Sequence, residues 1–426
     1  MGLDLRWTRR SFMGILGTLT GALLNPRGSF SSVAARKPAS KITGFGSTGN
    51  VYDELGVTTV INGQGTMTVL GGSLMRPEVE EVMALAGKHF ISIPDLEVAA
   101  GKRIAEMLKL PAGYSAIVTS GAAAAMQSGL AGILTGNNSK FIEQIPDLTG
   151  MKSEVIIQKS HRNPFDHQLR TTGVKLVVIE TREEFRKAVN EKTAMLHFSN
   201  FANASGQIKV DEWAKLGKEY KIPTLIDAAA DTPPVSHLWD YATMGYDLIA
   251  FSGGKAIRGP QCAGLLLGRE ELVANALLNN SPHEDTIGRS QKVGKEEIVG
   301  MVKALECYLN EDHEALNREW QSRLERIATK VSTIPGVSTS YFVPDIANHV
   351  PHMEIKWDRG KVNVSADETV KTLRAGKPSI VLARSEKHAF GEKRDDSLAV
   401  SSFMLQPGED SIIADKLYEF LKAHSA

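Results

Sequence analysis

The chain has 426 residues, 42% hydrophobic and 23% charged, enough to bury a large core that is expected to divide into two domains. Its 49 Lys+Arg match its 49 Asp+Glu, so there is no bulk positive field to attract a nucleic acid, and none is expected as a partner. Two cysteines, Cys262 and Cys307, cannot make a disulfide framework. Cys262 follows an apolar region and is expected to be a small buried residue.

In chain order, the first 35 residues differ from the rest. Arg9 and Arg10 precede an apolar, Gly-rich run from Phe12 to Leu24, too short for a transmembrane helix of roughly 20 residues. Small residues in "SSVAA" end at Ala35. The pattern resembles a twin-arginine export signal. It implies the twin-arginine export machinery as a partner and a periplasmic or exported location, and it sets residues 1–35 apart from the fold. Residues 36–59 read as a linker and N-terminal segment.

From 96 to 270 helix and strand patterns alternate. Helical periodicity covers 96–110, 121–134 and 210–222. Strand-like apolar runs fall at 114–120, 153–158, 175–180, 194–199, 223–230, 247–252 and 263–268. Such alternation predicts an α/β fold, here a mostly parallel seven-stranded sheet covered by helices, over a large domain 60–295. Beyond it, a long charged helical stretch at 296–334, short strands and a last helix at 409–423 predict a smaller α+β domain, 296–426.

Chemistry concentrates at a few places. In "FSGGKAIRGP" (251–260) Lys255 follows two glycines at the end of an apolar strand. A lysine there suits a Schiff base with an aldehyde cofactor, its amine later carrying protons. Asp227 ends an upstream apolar strand, where open α/β sheets place ligands. A carboxylate there would hold a proton on a pyridine nitrogen. Asp231 reads as a cap or a solvated acid. In "VTSGAAAAM" (118–126) a strand runs into a helix, so Ser120, Gly121 and Ala122 can cradle a phosphate, with Ser252 adding its hydroxyl. In "QKSHRNPFDHQ" (158–168) His161 is preferred to His167 as a group stacking on the cofactor ring. A zinc reading of the two histidines lacks a cysteine or third ligand, and no metal is expected.

The order phosphate turn, ring-stacking residue, aspartate, lysine resembles the fold-type I pyridoxal-phosphate enzymes. "VINGQGTMTVLGGSLM" (60–75), "LIDAAAD" (225–231), "FSGGKAIRGPQCAGLLLG" (251–268), "KVGKEEIVG" (292–300) and "LQPGED" (405–410) are similar to the selenocysteine synthase-like branch. Within it, the D-glucosaminate-6-phosphate ammonia-lyase type is most similar. The resemblance implies pyridoxal 5'-phosphate bound through Lys255, with Asp227 at its ring nitrogen and the 120–122 turn at its phosphate. It implies a small-domain arginine for a substrate carboxylate, with Arg384 the candidate and Arg374 its competitor. Arg258 and Lys292 are candidates to reach a phosphate of cofactor or substrate. A small amino-acid-like substrate and a homo-oligomer, dimer or higher, are expected. The implied activity is α-proton abstraction followed by β-elimination, as in an ammonia lyase. An amino-acid racemase or aminotransferase on the same scaffold, or a non-catalytic periplasmic binding protein, are the alternatives.

Overall fold

A computed structural model of the protein describes residues 46, 49–386 and 393–425. The export-signal-like segment lies outside them. Before Val60 the described residues form one short helix, Val51–Glu54, whose N-cap Asn50 accepts a hydrogen bond from the Tyr52 N–H.

From Val60 onward the strands, and the helices that frame the site and the cores, run in this order. The first strand, β1 (Val60–Asn62), precedes helix α1 (Ile93–Leu108), strand β2 (Tyr114–Thr119) and helix α2 (Gly121–Thr135). Next come β3 (Glu154–Gln158), β4 (Lys175–Ile179), β5 (Thr193–Ser199) and β6 (Thr224–Asp227). Helix α3 (His237–Met244), β7 (Leu248–Ser252), β8 (Gly264–Arg269), α4 (Lys295–Leu309) and α5 (His313–Val331) follow. The C-terminal part holds β9 (Val337–Phe342), β10 (His352–Trp357), β11 (Ser379–Val381), β12 (Ala383–Glu386), β13 (Lys393–Ser401) and α6 (Glu409–Ala423).

A seven-stranded sheet has the order β2-β8-β7-β6-β5-β3-β4. Only β8 runs against its neighbours β2 and β7, so the sheet is mostly parallel, as its sequence pattern requires. Such strands are covered on both faces and read as continuous apolar runs. Alternation sorts each strand between two cores. Leu248 and Ala250 of β7 face one cluster with α2. Ile249 and Phe251 face the other, with α1 and α4. Helix α2 lies close on the sheet because it carries glycine at the contact: a Cβ at Gly129 would sit 3.1 Å from Leu225 Cδ1.

A four-stranded antiparallel sheet, β12-β13-β10-β9, and helices α5 and α6 enclose a separate C-terminal core. Two features of that core fall outside the expected boundaries. Strand β1 pairs in parallel with β11, so Ile61 is buried in the C-terminal core. Helix α4 buries Ile298, Met301, Ala304, Leu305 and Tyr308 beside α1, in the core that one face of the large sheet also lines. The change of core therefore falls between Tyr308 and Leu324, because the apolar face of α4 lines that core.

Helix α1 shields the edge strand β2. A Cβ at Gly101 would lie 2.0 Å from the Ala116 carbonyl oxygen, so only glycine allows this approach. Glu97, 2% exposed, accepts the Val118 N–H at 3.1 Å. Burial pushes its pKa from 4.5 up to about 8. In this window the folded protein keeps a proton that the unfolded chain releases. The resulting stability is complete below about pH 4.5 and is lost as pH rises through about 8. Glu97→Gln retains an acceptor and does not titrate. Scans of Tm from about pH 5 to 8 should therefore show the wild type falling relative to the variant, and parallel curves would refute this.

Candidate active site

Three parallel strands end on one side of the large sheet: β2 before the start of α2, β6 at Asp227, and β7 at Ser252. Their ends border a cavity of about 280 Å³ whose wall includes Lys255, Asp227, Asp231, Ser252, Gly121 and Ala122. This is where open α/β sheets bind ligands.

Lys255 is fixed by a tight loop after β7. The Arg258 N–H donates to the Lys255 carbonyl and the Gly259 N–H to the Gly253 carbonyl, each at 2.9 Å. The two glycines before the lysine are required by packing, and Gly254 also borders the cavity. A Cβ at Gly253 would lie 2.7 Å from the Ala263 carbonyl oxygen, and one at Gly254 2.8 Å from Gln261 Cα. Burial lowers the pKa of the Lys255 amine, against the pull of Asp227 and Asp231. The same burial raises Asp227, against the pull of Lys255 and of the Ala229 N–H, which donates to Asp227 Oδ1 at 3.1 Å. For both groups desolvation wins, which leaves the amine more readily neutral and nucleophilic.

At the start of α2, Gly121 has φ +87° and open space where a Cβ would be. From behind, Gly264 supports the turn: a Cβ there would lie 2.6 Å from Gly121 C and 2.8 Å from Ala122 N. The first amides of the 15-residue helix α2 border the cavity through Gly121, Ala122 and Ala123. Ser120 is the N-cap, without a side-chain capping bond, and is absent from the cavity wall.

Several expected residues stand elsewhere. His161 is fully buried. Its short helical turn, Lys159–His161, rolls the ring inward, edge-on to Phe198. There Nδ1 accepts the Ser199 N–H at 3.3 Å and Nε2 meets Gln158 Nε2 at 3.2 Å. His161 therefore does not stack over the cavity, and burial lowers its pKa to about 4. His167 is exposed. The aromatic rings in the wall are Phe165 and Phe201. Phe165 lies in the segment singled out for a ring, and Phe201 stands two residues after β5, a position at which the sequence reading sought nothing. Arg384 and Arg374 line a different groove, where Arg384 faces Asp367 at 3.9 Å. Arg258 lines a second cavity. Lys292 is exposed and borders neither cavity. Cys262 is exposed rather than buried, because the loop returning from Pro260 carries it outside the strand that starts at Gly264. Among the described residues no group of three or more His, Cys, Asp or Glu is placed to hold a metal.

Asp231 is the main residue that sequence reasoning misplaced. It is 2% exposed, not solvated, and it borders the cavity. Its Oδ2 accepts from Asn200 Nδ2 at 2.7 Å and from the Tyr241 hydroxyl at 2.9 Å. Asn200 Nδ2 also donates to the Tyr241 hydroxyl oxygen at 2.7 Å. Burial raises its pKa to about 7, opposed by those two hydrogen bonds and Lys255 and reinforced by Asp227. Its second oxygen makes no hydrogen bond to any described residue.

Residues 98–283 match the family described as Aminotransferase class-V. The chain is 27% identical over 352 residues to D-glucosaminate-6-phosphate ammonia lyase of Salmonella typhimurium (strain 14028s / SGSC 2262), covering 80% of this chain and 91% of that one. It is 28% identical over 387 residues to 5'-C-glycyluridine monooxygenase-decarboxylase of a Streptomyces species, covering 88% of this chain and 92% of that one. A solved structure of D-glucosaminate-6-phosphate ammonia-lyase superposes with a TM-score of 0.75 at 25% identity, over 88% of this chain and 99% of that one. The chain is a fold-type I, pyridoxal-phosphate-dependent enzyme. The enzyme's cavity fits that cofactor. Lys255 would offer the amine for its aldehyde and Asp227 a carboxylate for its ring nitrogen. The Gly121 and Ala122 amides, with the Ser252 hydroxyl, would offer donors for its phosphate.

Proposed function

We propose that the enzyme is an ammonia lyase acting on a β-hydroxy amino acid or amino-sugar acid. The single observation that carries this is the grouping of a half-buried lysine, Lys255, with two buried carboxyls, Asp227 and Asp231, in one cavity. The net reaction converts the substrate into ammonia and a 2-keto acid. The α-proton and the β-hydroxyl leave, and water later replaces nitrogen at the former α-carbon. When bound, the cofactor supplies an electron sink for the negative charge left at the α-carbon. Lys255 Nζ takes the α-proton. Asp227 keeps the proton at the ring nitrogen. Asp231, fixed by Asn200 and Tyr241, donates a proton to the departing hydroxyl. Two sites with opposed proton tasks are what an elimination needs. The similarity to D-glucosaminate-6-phosphate ammonia lyase over most of both chains supports the same reading.

The direct test is incubation of the cofactor-loaded enzyme with D-glucosaminate 6-phosphate and with unphosphorylated β-hydroxy amino acids, measuring keto acid and ammonia. Formation of both supports the proposal. Exchange of the α-proton in D₂O without keto acid would point to racemisation, and dependence on a keto-acid acceptor to transamination.

Asp231→Asn should lower kcat by about 10²- to 10³-fold, the usual worth of a positioned proton donor. The wild-type rate should fall as pH rises above about 7, where Asp231 loses its proton, and this limb should vanish in the variant. Solvent exchange of the α-proton should survive. An unchanged pH profile would remove Asp231 from the acid role.

The Arg9–Arg10 pair and the apolar run after it support export by the twin-arginine route. Fractionation of cells carrying Arg9→Lys/Arg10→Lys tests this, retention in the cytoplasm being the expected result. A homo-oligomer is supported by the cavity itself. Among its described lining residues Lys255 is the only cation, so a further positive group for a substrate carboxylate is expected from a neighbouring subunit.

A further inference from the structure

The lysine loop is held by more than its own hydrogen bonds. Segment 72–76 runs against it. A Cβ at Gly72 would lie 2.5 Å from the Gly254 carbonyl oxygen, so the two stretches touch backbone to backbone. Two arginines then clasp them from opposite directions. Arg258 Nε donates to the Leu74 carbonyl at 2.8 Å, and Arg76 Nη1 donates to the Ile257 carbonyl at 2.6 Å.

Arg76 reaches further. It is 7% exposed, and its Nε and Nη2 donate to the two carboxylate oxygens of Glu311 at 2.7 and 2.5 Å. A paired fork of this kind fixes the plane of the guanidinium as well as its place. Glu311 stands in the turn between α4 and α5, where the chain passes from one core to the other. Arg76 is anchored at its backbone too, because its carbonyl accepts the Val79 and Glu80 N–H groups at the start of the helix Pro77–Ala86. One buried side chain thus joins the lysine loop to the junction of the cores, and all three of its nitrogens are engaged.

The loop needs such a hold. Arg258, next to Ile257, has φ +57°, a left-handed conformation that a non-glycine residue keeps only where its surroundings over-determine it. Its N–H closes the turn on the Lys255 carbonyl at 2.9 Å. The Ile257 carbonyl held by Arg76 lies inside this turn, two residues after the lysine. An ion pair made for stability alone would need only the two bonds to Glu311. The third bond, to the loop backbone, is left over.

We propose that Arg76 is a positioning residue for the catalytic lysine. From the turn between α4 and α5 it sets the backbone of the lysine loop, and through that backbone the direction of the Lys255 amine. This rests on the assignment of Lys255 as cofactor anchor and base. An amine that attacks a carbonyl and then takes up a proton works within a narrow range of directions, and a misplacement of about 1 Å is enough to cost about 100-fold in rate.

The test compares the wild type with Arg76→Gln, Arg76→Lys and Glu311→Gln. Hydrogen exchange, read by mass spectrometry on the cofactor-free proteins, reports on the loop itself. In Arg76→Gln the peptide holding the Arg258 and Gly259 amides should exchange about tenfold faster or more, the usual worth of a hydrogen bond from a charged group, while peptides from β5 and β6 keep wild-type rates. With pyridoxal phosphate bound, the visible circular dichroism of the lysine-linked cofactor should weaken at equal cofactor content. Turnover of a β-hydroxy amino acid should fall by about 10- to 100-fold in kcat, with KM within about twofold. Arg76→Lys keeps one charged donor without the fork and should recover these readouts only in part. Glu311→Gln should move them in the same direction by less, and adding it to Arg76→Gln should change little, because both cut one strap. A merely structural Arg76 would lower Tm and leave loop exchange and dichroism at wild-type values, and that result overturns the proposal. Should Arg76→Gln not fold, Arg76→Lys and Glu311→Gln decide it. Should the wild type turn over no β-hydroxy amino acid, the elimination reading fails, and loop exchange with dichroism still decides the role of Arg76.

Discussion

Lys255→Ala should leave a folded protein that no longer holds its cofactor covalently. The visible band of the lysine-linked cofactor should disappear, and borohydride reduction followed by peptide mapping should label Lys255 only in the wild type. Turnover should fall by about 10³-fold or more, because one amine serves both as anchor and as base. The reason is physical. The half-buried side chain lies in one cavity with Asp227 and Asp231, and desolvation lowers its pKa despite their attraction. A neutral amine in that position attacks a carbonyl and takes up a proton, while an ordinary surface lysine stays charged. The loop itself should survive, since its closing bonds run between backbone atoms of Lys255 and Arg258 and of Gly253 and Gly259. Added methylamine should restore part of the turnover by supplying the missing base. A reduced label on another lysine, or an unaltered band in the variant, would contradict the assignment.

Features written in periodic or end-of-strand positions were legible in the sequence. Continuous apolar runs located the strands of the large sheet, because strands covered on both faces need no polar side. That Asp227, Ser252 and Lys255 would share one cavity wall was legible because each stands at or after the end of an apolar run. The Ser-Gly junction at 120–121 marked the start of α2 for the same reason. What escaped depended on contacts distant in sequence or on local rotation. Asp231 looks like a capping residue until Asn200 and Tyr241 fold onto it. His161 follows its strand as a ligand residue would, but a helical turn carries its ring inward to Ser199. Arg384 has the right chemistry for a carboxylate, yet its strand β12 delivers it to a groove beside Asp367. Helix α4 is charged along its exposed side while its apolar side joins the first core beside α1. In each case the residue type was informative and its direction was not.

Asp227→Asn separates electrostatics from shape. The two side chains are nearly isosteric, and the amide oxygen still accepts the Ala229 N–H now bonded to Asp227 Oδ1. The change removes the negative charge that holds a proton on the cofactor's ring nitrogen. A preorganised charge in a buried site typically contributes about 10²- to 10³-fold in rate, and kcat should fall by that amount while the cofactor remains attached to Lys255. Stability should respond in the opposite sense. Without cofactor, burial raises the pKa of Asp227, so the folded wild type loses stability as pH rises through that raised value. Asparagine does not titrate, so the cofactor-free variant should match the wild type at low pH and exceed it at high pH. With cofactor bound, a positive ring nitrogen against the carboxylate favours its charged form, and the wild type should gain more Tm from the cofactor than the variant does. A merely structural Asp227 would lose stability and activity together. The expected pattern is loss of turnover with stability kept or increased in the cofactor-free protein, and equal cofactor-dependent Tm gains in the two proteins would place Asp227 away from the ring nitrogen.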